Sequence, residues 1–436
     1  MIGSRMTGAR MTGLRALLVT LALLSGGCSL LELDREMQTA RQELILIPGL
    51  LQASDSGRSA LVALLDAHDK LVGYRIAAPG EVFYFNEAPA AYQLLAFDDS
   101  NGNFALDSGE PRHWLPRAQS APLQVQPEQA ERARLGRLNP LHLTTNDLAP
   151  APALNLSLEL LQREQPRMQR NYLQTVKFDD PRFDEQQIRL GAWQPLTFMR
   201  EVGYGLYLLA PWDEDKEPVF MVHGINSSPR DWQALAASLD LKGFQLVLYH
   251  FPSGLPLNNS AYMLSVGIRD LQLRHAPKRM HVLAHSMGGL VARRALQLLS
   301  EDESQRLCLF ITLSTPWDGH PAAATGLKQV PLEVPVWRDM APGSAYLQAL
   351  FARPLPPSIR QWMLVSYGGN SRLLSEPNDG VVPLASELRV AAQDEAERLY
   401  LLDESHTGIL HSPRSTSLID RALSSLPTRG CSPSAD

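Results

Sequence analysis

Two kinds of hydrophobic spacing divide the chain. From Glu43 to about Pro122 the apolar positions fall in short runs: Leu44–Ile47, Ala60–Leu65, Leu71–Ile76, Glu81–Phe85 and Ala91–Phe97. Turn residues separate them at Pro48-Gly49, Asp69-Lys70, Pro79-Gly80 and Asn86 to Pro89. Short strand-like runs punctuated in this way predict a small β-sandwich-like domain. From Gly191 the apolar runs are continuous: Pro218–Val222, Gln245–His250, Met280–Ala284, Leu307–Leu313, Gln361–Tyr367 and Arg398–Leu402. Helix-like stretches lie between them, at Pro229–Asp240, Asn259–Arg274 and Gly288–Leu299, and Ser415–Ser425 reads as a last helix. Continuously apolar strands alternating with helices predict an α/β domain with a mostly parallel sheet covered on both faces. Leu196–Arg200 and Gly205–Ala210 read as an edge hairpin of that sheet.

The ends and the middle complete the map. Arg5, Arg10 and Arg15 precede Leu17–Leu24, an apolar run too short to span a bilayer, and Leu24-Ser25-Gly26-Gly27-Cys28 follows. Small residues before that cysteine resemble a bacterial lipobox. The resemblance implies a signal peptide over residues 1–27, lipidation of Cys28 and a membrane-held protein. Ser29 stands where an aspartate would retain it at the inner membrane, so the outer membrane is expected. Residues 28–42 read as a tether, 43–122 as the β-domain, 123–190 as a Pro- and Gln-rich linker, 191–426 as the α/β domain and 427–436 as a tail. Cys308, in an apolar strand, reads as a core thiol, and Cys431 lies in the tail. No bridge is expected between them, because the tail would have to reach a central strand.

Composition changes this picture little. Apolar content of 44% suits a real core, and a net charge of −6 with no basic run gives no sign of nucleic-acid binding, so no nucleic-acid partner is expected. One polar stretch carries possible metal chemistry. Asp99, Asn101, Asn103, Asp107 and Glu110 occupy positions 1, 3, 5, 9 and 12 of a twelve-residue stretch, the ligand spacing of a calcium loop. Position 6, which favours glycine, is Phe104, so a polar turn that binds nothing competes with structural calcium.

The chemistry centres on Ala284-His285-Ser286-Met287-Gly288, a strand that stops at a serine and turns into a helix. It resembles the nucleophile elbow of α/β-hydrolases, with alanine for the first glycine. His223-Gly224 follows the strand Val219–Val222, Asn378-Asp379-Gly380-Val381-Val382-Pro383 follows the strand ending at Tyr367, and His406 follows the last strand. Ser314-Thr315-Pro316-Trp317-Asp318-Gly319 follows the strand Leu307–Leu313. Jointly these resemble lipase- and esterase-like α/β-hydrolases over about Gly191 to Leu426. The resemblance implies Ser286 as nucleophile, His406 as base, Asp379 as acid, and an oxyanion hole from the N–H groups of Ile225 and Met287. Asp403 and His411 are the rival acid and base. His223 and His285 are expected to be structural. An apolar insertion between Gly319 and Pro357 lies where lipases place caps. The expected activity is hydrolysis of carboxylic esters, with lipid or long-chain acyl esters favoured and no organic cofactor. An acyltransferase with the same triad and a non-catalytic surface module are the alternatives.

Overall fold

The computed structural model describes residues 29–39, 45–87, 90–115, 140–148, 154, 170–330, 332–369, 371, 374, 376–426 and 431. The signal segment and Cys28 lie outside the described residues. Residues 29–39 form a helix, α1.

The N-terminal module is two sheets. β1 (Ile45–Ser54), β4 (Val82–Glu87) and β7 (Leu141–Thr145) form one, in the order β4-β1-β7. β2 (Ala60–Leu65), β3 (Leu71–Ala77), β5 (Gln93–Phe97) and β6 (Arg112–Leu115) form the other, in the order β3-β2-β5-β6. Along β2 the side chains alternate between two cores. Val62 and Leu64 meet Leu51, Phe83, Phe85 and Leu143 between the sheets. Leu61, Ala63 and Leu65 join Tyr74, Phe97 and Phe104 on the opposite face, against Leu273 of the second domain. A strand buried on both faces carries apolar residues at every position, which is why β2 and β5 lack polar alternation.

The larger domain is built on an eight-stranded sheet of β8 (Arg170–Thr175), β9 (Tyr204–Leu208), β10 (Glu217–Val222), β11 (Phe244–His250), β12 (Met280–His285), β13 (Leu307–Leu313), β14 (Arg360–Ser366) and β15 (Ala396–Leu402). Their order is β15-β14-β13-β12-β10-β11-β9-β8. β10 to β15 run parallel, and β9 lies antiparallel to β11. Helices cover both faces. They are α2 (Glu185–Trp193), α3 (Pro195–Glu201), α4 (Gln233–Ser238), α5 (Leu257–His275), α6 (Met287–Gln297) and α7 (Glu301–Ser304). α8 (Pro321–Gln329), α9 (Pro335–Met340), α10 (Ala345–Leu350), α11 (Leu384–Glu387), α12 (Val390–Glu395) and α13 (Pro413–Ser424) complete them. Phe220 and Val222 enter the core on one face of the sheet, Val219 and Met221 that on the other. This is an α/β-hydrolase fold.

Four expectations need correction. The stretch 123–190 is not only linker: β7 pairs in parallel with β1, and β8 pairs with β9. β7 reads Leu-His-Leu-Thr-Thr, a one-sided alternation that a search for continuous apolar runs passes over. The large sheet therefore begins before Gly191. Leu196–Arg200 is helix, not strand. Pro195 supplies the first-turn residue, and the Glu36 carboxylate of α1 accepts from the N–H groups of Leu196 (2.9 Å) and Thr197 (2.7 Å). Cys308 and Cys431 are joined in a disulfide. Cys308 is the second residue of β13, at the strand end opposite the serine turn, and Cys431 meets it there.

α5 ties the two domains together. Tyr74 donates to Asp270 at 2.8 Å, and Arg170 pairs with the same carboxylate at 2.5 Å. Buried Arg269 bridges Glu81 of the N-terminal module (2.9 Å) and Glu303 (3.1 Å). Each of these charges is taken out of water only with its partner in place, so the pairs fix how the domains meet.

Candidate active site

β12 ends at His285, α6 starts at Met287, and Ser286 alone makes the turn, at φ 55° and ψ −132°. A side chain rarely adopts this conformation, and the surrounding backbone must hold it there. The Ser286 N–H donates to Leu313 O at 2.8 Å. A Cβ on Gly288 would stand 2.3 Å from the carbonyl oxygen of Val222, so the crossing of helix and strand requires glycine there. Ala284, fully buried, is accommodated at the other small position.

The structure brings the three predicted side chains into one line. Ser286 Oγ lies 2.9 Å from His406 Nε2, and His406 Nδ1 lies 2.5 Å from Asp379 Oδ2. Asp379 is fully buried and fixed from four sides. Oδ1 accepts from the N–H groups of Val381 (2.9 Å) and Val382 (2.6 Å), and Oδ2 also accepts from Ser366 Oγ (2.8 Å). Burial alone would raise its pKa. The bond and charge of His406, with the two valine N–H groups, outweigh that and bring it down to about 2. Its carbonyl also accepts the His406 N–H at 2.8 Å, so Asp379 and His406 are tied by backbone as well as side chain. The rivals are elsewhere: Asp403 and His411 are exposed, and neither enters this line.

Gly224 passes directly over the serine. A Cβ there would lie 3.0 Å from Ser286 Cβ and 3.4 Å from Oγ. Ile225 follows Gly224 in this loop, as Met287 follows Ser286 in the turn. Met287 opens α6, where an N–H has no partner within its own helix. His223 is buried and stacked on Phe251 at 4.3 Å; its Nδ1–H donates to Gly224 O at 2.9 Å and its Nε2 accepts from Phe251 N–H at 3.4 Å. That tautomer is assigned from the partners. Burial lowers its pKa to about 4, so it is neutral and orients the loop. His285 donates from Nε2 to the carbonyl of His406 at 2.8 Å. Burial and the neighbouring His406 bring its pKa to about 3. It is a neutral prop for His406.

Ser366 and Glu387 stand behind Asp379 and belong to no motif of the sequence. Ser314 Oγ and Ser366 Oγ are 2.6 Å apart, and Ser366 N–H donates to Glu387 Oε2 at 3.1 Å. Ser366 does end an apolar strand, the place where this fold puts functional groups. Glu387 carries no such signal, since its local sequence reads as an ordinary helix turn. The loop after β13 is wired to the acid loop: His320 Nε2–H donates to Val381 O at 2.6 Å and Ser386 Oγ to Gly319 O at 2.6 Å. The insertion α8–α10 is also fixed to α5, through Asp339 Oδ2, which accepts from Leu257 N–H at 2.8 Å.

The predicted calcium ligands lie far from this line in sequence and satisfy one another. Asp99 accepts from the N–H groups of Asn103 (3.1 Å) and Phe104 (3.0 Å). Asn101 and Asn103 both donate to Asp107 Oδ2, at 2.8 and 2.9 Å. Glu110 accepts from Ser100 N–H (2.7 Å) and Asp107 N–H (3.1 Å). Among the described residues no group of three or more His, Cys, Asp or Glu is placed to hold a metal ion. Phe104 takes the positive φ (56°) that glycine would take and buries its ring under Arg274, 3.6 Å from the guanidinium carbon.

Residues 248–330 match the family described as PGAP1-like alpha/beta domain. Among solved structures, the chain is similar to the mature form of a Bacillus licheniformis lipase, with 16% identity, a TM-score of 0.40, and coverage of 48% of this chain and 93% of that one. It is similar to Aspergillus fumigatus lipase B at 15% identity and a TM-score of 0.39, covering 50% of this chain and 56% of that one. A Pyrococcus furiosus esterase is similar at 18% identity and a TM-score of 0.35, covering 49% of this chain and 83% of that one. No curated protein matches the chain.

Proposed function

We propose that the protein is a serine hydrolase that cleaves carboxylic esters. The observation that carries this reading is the unbroken line from Ser286 Oγ through His406 to buried Asp379, with the serine held in a strained turn. Ser286 Oγ attacks the ester carbonyl while His406 Nε2 takes its proton, and Asp379 stabilises the resulting imidazolium. The N–H groups of Ile225 and Met287 flank the position where the oxyanion develops. The tetrahedral intermediate collapses with the leaving alcohol taking the proton from His406, and water repeats the sequence on the acyl-enzyme. Labelling by a fluorophosphonate, together with turnover of p-nitrophenyl esters by the wild type and by Ser286→Ala, tests it. Labelling or turnover that persists in the alanine variant rejects it.

We further propose that the protein is held at the cell envelope, in the outer membrane, through lipidated Cys28, and acts there on lipid or long-chain acyl esters. Support comes from the small-residue run before Cys28 and from the Cys308–Cys431 disulfide, a bond that persists in oxidising compartments. α1 begins one residue after Cys28 and is packed on the catalytic domain through buried Leu33 and through Glu36. Tyr367 and Val381, beside the acid loop, leave apolar side chains 42% and 47% exposed. No helix among the described residues is long and apolar enough to cross a membrane. Cys28→Ser is expected to release the protein from membranes, and activity is expected to rise when the ester is presented in micelles. Unchanged fractionation, or a preference for acetyl esters in free solution, would overturn these two readings respectively.

A further inference from the structure

A second carboxyl lies behind the triad acid. Glu387, the last residue of α11, is fully buried. Its Oε2 accepts from the Ser366 N–H at 3.1 Å, and its Oε1 is buried with no donor directed to it. Ser366 joins it to Asp379: the Ser366 N–H binds Glu387 and the Ser366 hydroxyl donates to Asp379 Oδ2 at 2.8 Å, and both carboxyls are fully buried. Two adjacent carboxyls sealed from water cannot both be charged. The allocation of donors decides which one is. Asp379 receives four: two valine N–H groups, the Ser366 hydroxyl and His406 Nδ1. Glu387 receives one from the backbone. An ionised Glu387 would leave Oε1 buried without a donor; a protonated one has an acceptor beside it in Asp379.

We propose that Glu387 is a neutral carboxylic acid that donates a hydrogen bond to Asp379 and so positions the triad carboxylate for His406. It is a positioning residue, because it touches the acid and not the reacting atoms. Burial, with the Asp379 charge beside it, holds the Glu387 carboxyl well above the usual carboxylate range. The titratable groups it faces are Asp379 and, beyond it, His406. Arg389, two residues on, is turned to the carbonyl of Trp317 and to Asp318. The network Ser314–Ser366–Asp379 shares this corner, and Ser366 Oγ bonds the same Asp379 Oδ2 that faces His406.

The proposal rests on the triad reading, and two kinds of measurement keep the two apart. Glu387→Leu removes the donor; kcat is expected to fall about ten- to a hundredfold, as for a hydrogen bond to a charged group, with KM unchanged. The acid limb of its kcat profile should move to higher pH, because Asp379 then directs more of its charge to His406. Glu387→Gln keeps a donor facing Asp379 and an acceptor for Ser366, and should recover both kcat and the wild-type profile. A purely packing role would move neither profile. Independently of activity, the infrared difference spectrum of wild type minus Glu387→Gln at pH 7 should contain the C=O stretch of a buried protonated carboxyl. Absence of that band, or a glutamine variant as impaired as the leucine one, overturns the proposal. If Ser286→Ala kept its activity while the band was present, the triad reading would fail and the protonated Glu387 would stand.

Discussion

Two loops of this protein hold a non-glycine residue at nearly the same positive φ, and they use it for different ends. Ser286 sits at φ 55° in the large domain and Phe104 at φ 56° in the small one. Neither is glycine, so each stores strain that its surroundings must offset. Around Ser286 the offset comes from strand and helix packed so closely that Gly288 admits no side chain, while Gly224 would bring a Cβ to 3.0 Å from Ser286 Cβ. The result is a hydroxyl presented at the sheet's end, next to His406. Around Phe104 it comes from Asp99, which accepts two backbone N–H groups, and from the burial of the ring against Arg274. The result there is a domain contact. Positive φ marks a place where something is being aimed; what is aimed has to be read from the side chain and its partners.

The comparison can be broken at either loop. Ser286→Ala leaves the strained turn in place and removes only the oxygen. Ester turnover should fall by about 10⁶, as for loss of the serine in another triad enzyme, with the melting temperature little changed. Asp379→Asn should cost about 10⁴ in kcat, because an amide no longer holds the imidazole in its working tautomer. Phe104→Ala should give the opposite result: a loss of about 3–5 kcal/mol in stability on denaturant titration, with kcat per folded molecule unchanged. A collapse of turnover in folded Phe104→Ala would mean that the two loops are coupled through α5.

Acid sharpens the contrast further, with a smaller effect. His223 and His285 lie around the serine turn, and burial lowers their pKa values to about 4 and about 3. Below about pH 6.5 the unfolded chain takes up protons at these residues that the folded chain does not. Their contribution is therefore complete above that pH and is lost as pH falls toward 4 and 3. Denaturant midpoints measured from pH 7 down to pH 5 should fall, with His285→Gln showing a shallower slope. A flat profile would mean the two rings are not neutral in the fold.

What was legible in the sequence follows from range. The elbow, the His-Gly loop and the Asn-Asp-Gly turn are each written in consecutive residues, since local backbone geometry dictates small residues at fixed offsets from the serine and the aspartate. The parallel strands were legible because burial on both faces leaves unbroken apolar runs. The rest depends on partners distant in sequence. Leu196–Arg200 looks like a strand until Glu36, more than a hundred residues earlier, is placed at its first turn. Cys431 finds Cys308 across 123 residues. Glu387 looks solvated in a four-residue helix and is buried only because Ser366 and Asp379 converge on it. Phe104 violates the calcium spacing for a reason written in α5, not in its own loop.

Whether Ser286 is an activated nucleophile is decided by intact-protein mass spectrometry after fluorophosphonate treatment. One adduct is expected on the wild type, mapped by peptide analysis to Ser286, and none on folded Ser286→Ala or His406→Ala. An adduct on a different serine, or equal labelling of wild type and His406→Ala, would contradict that role.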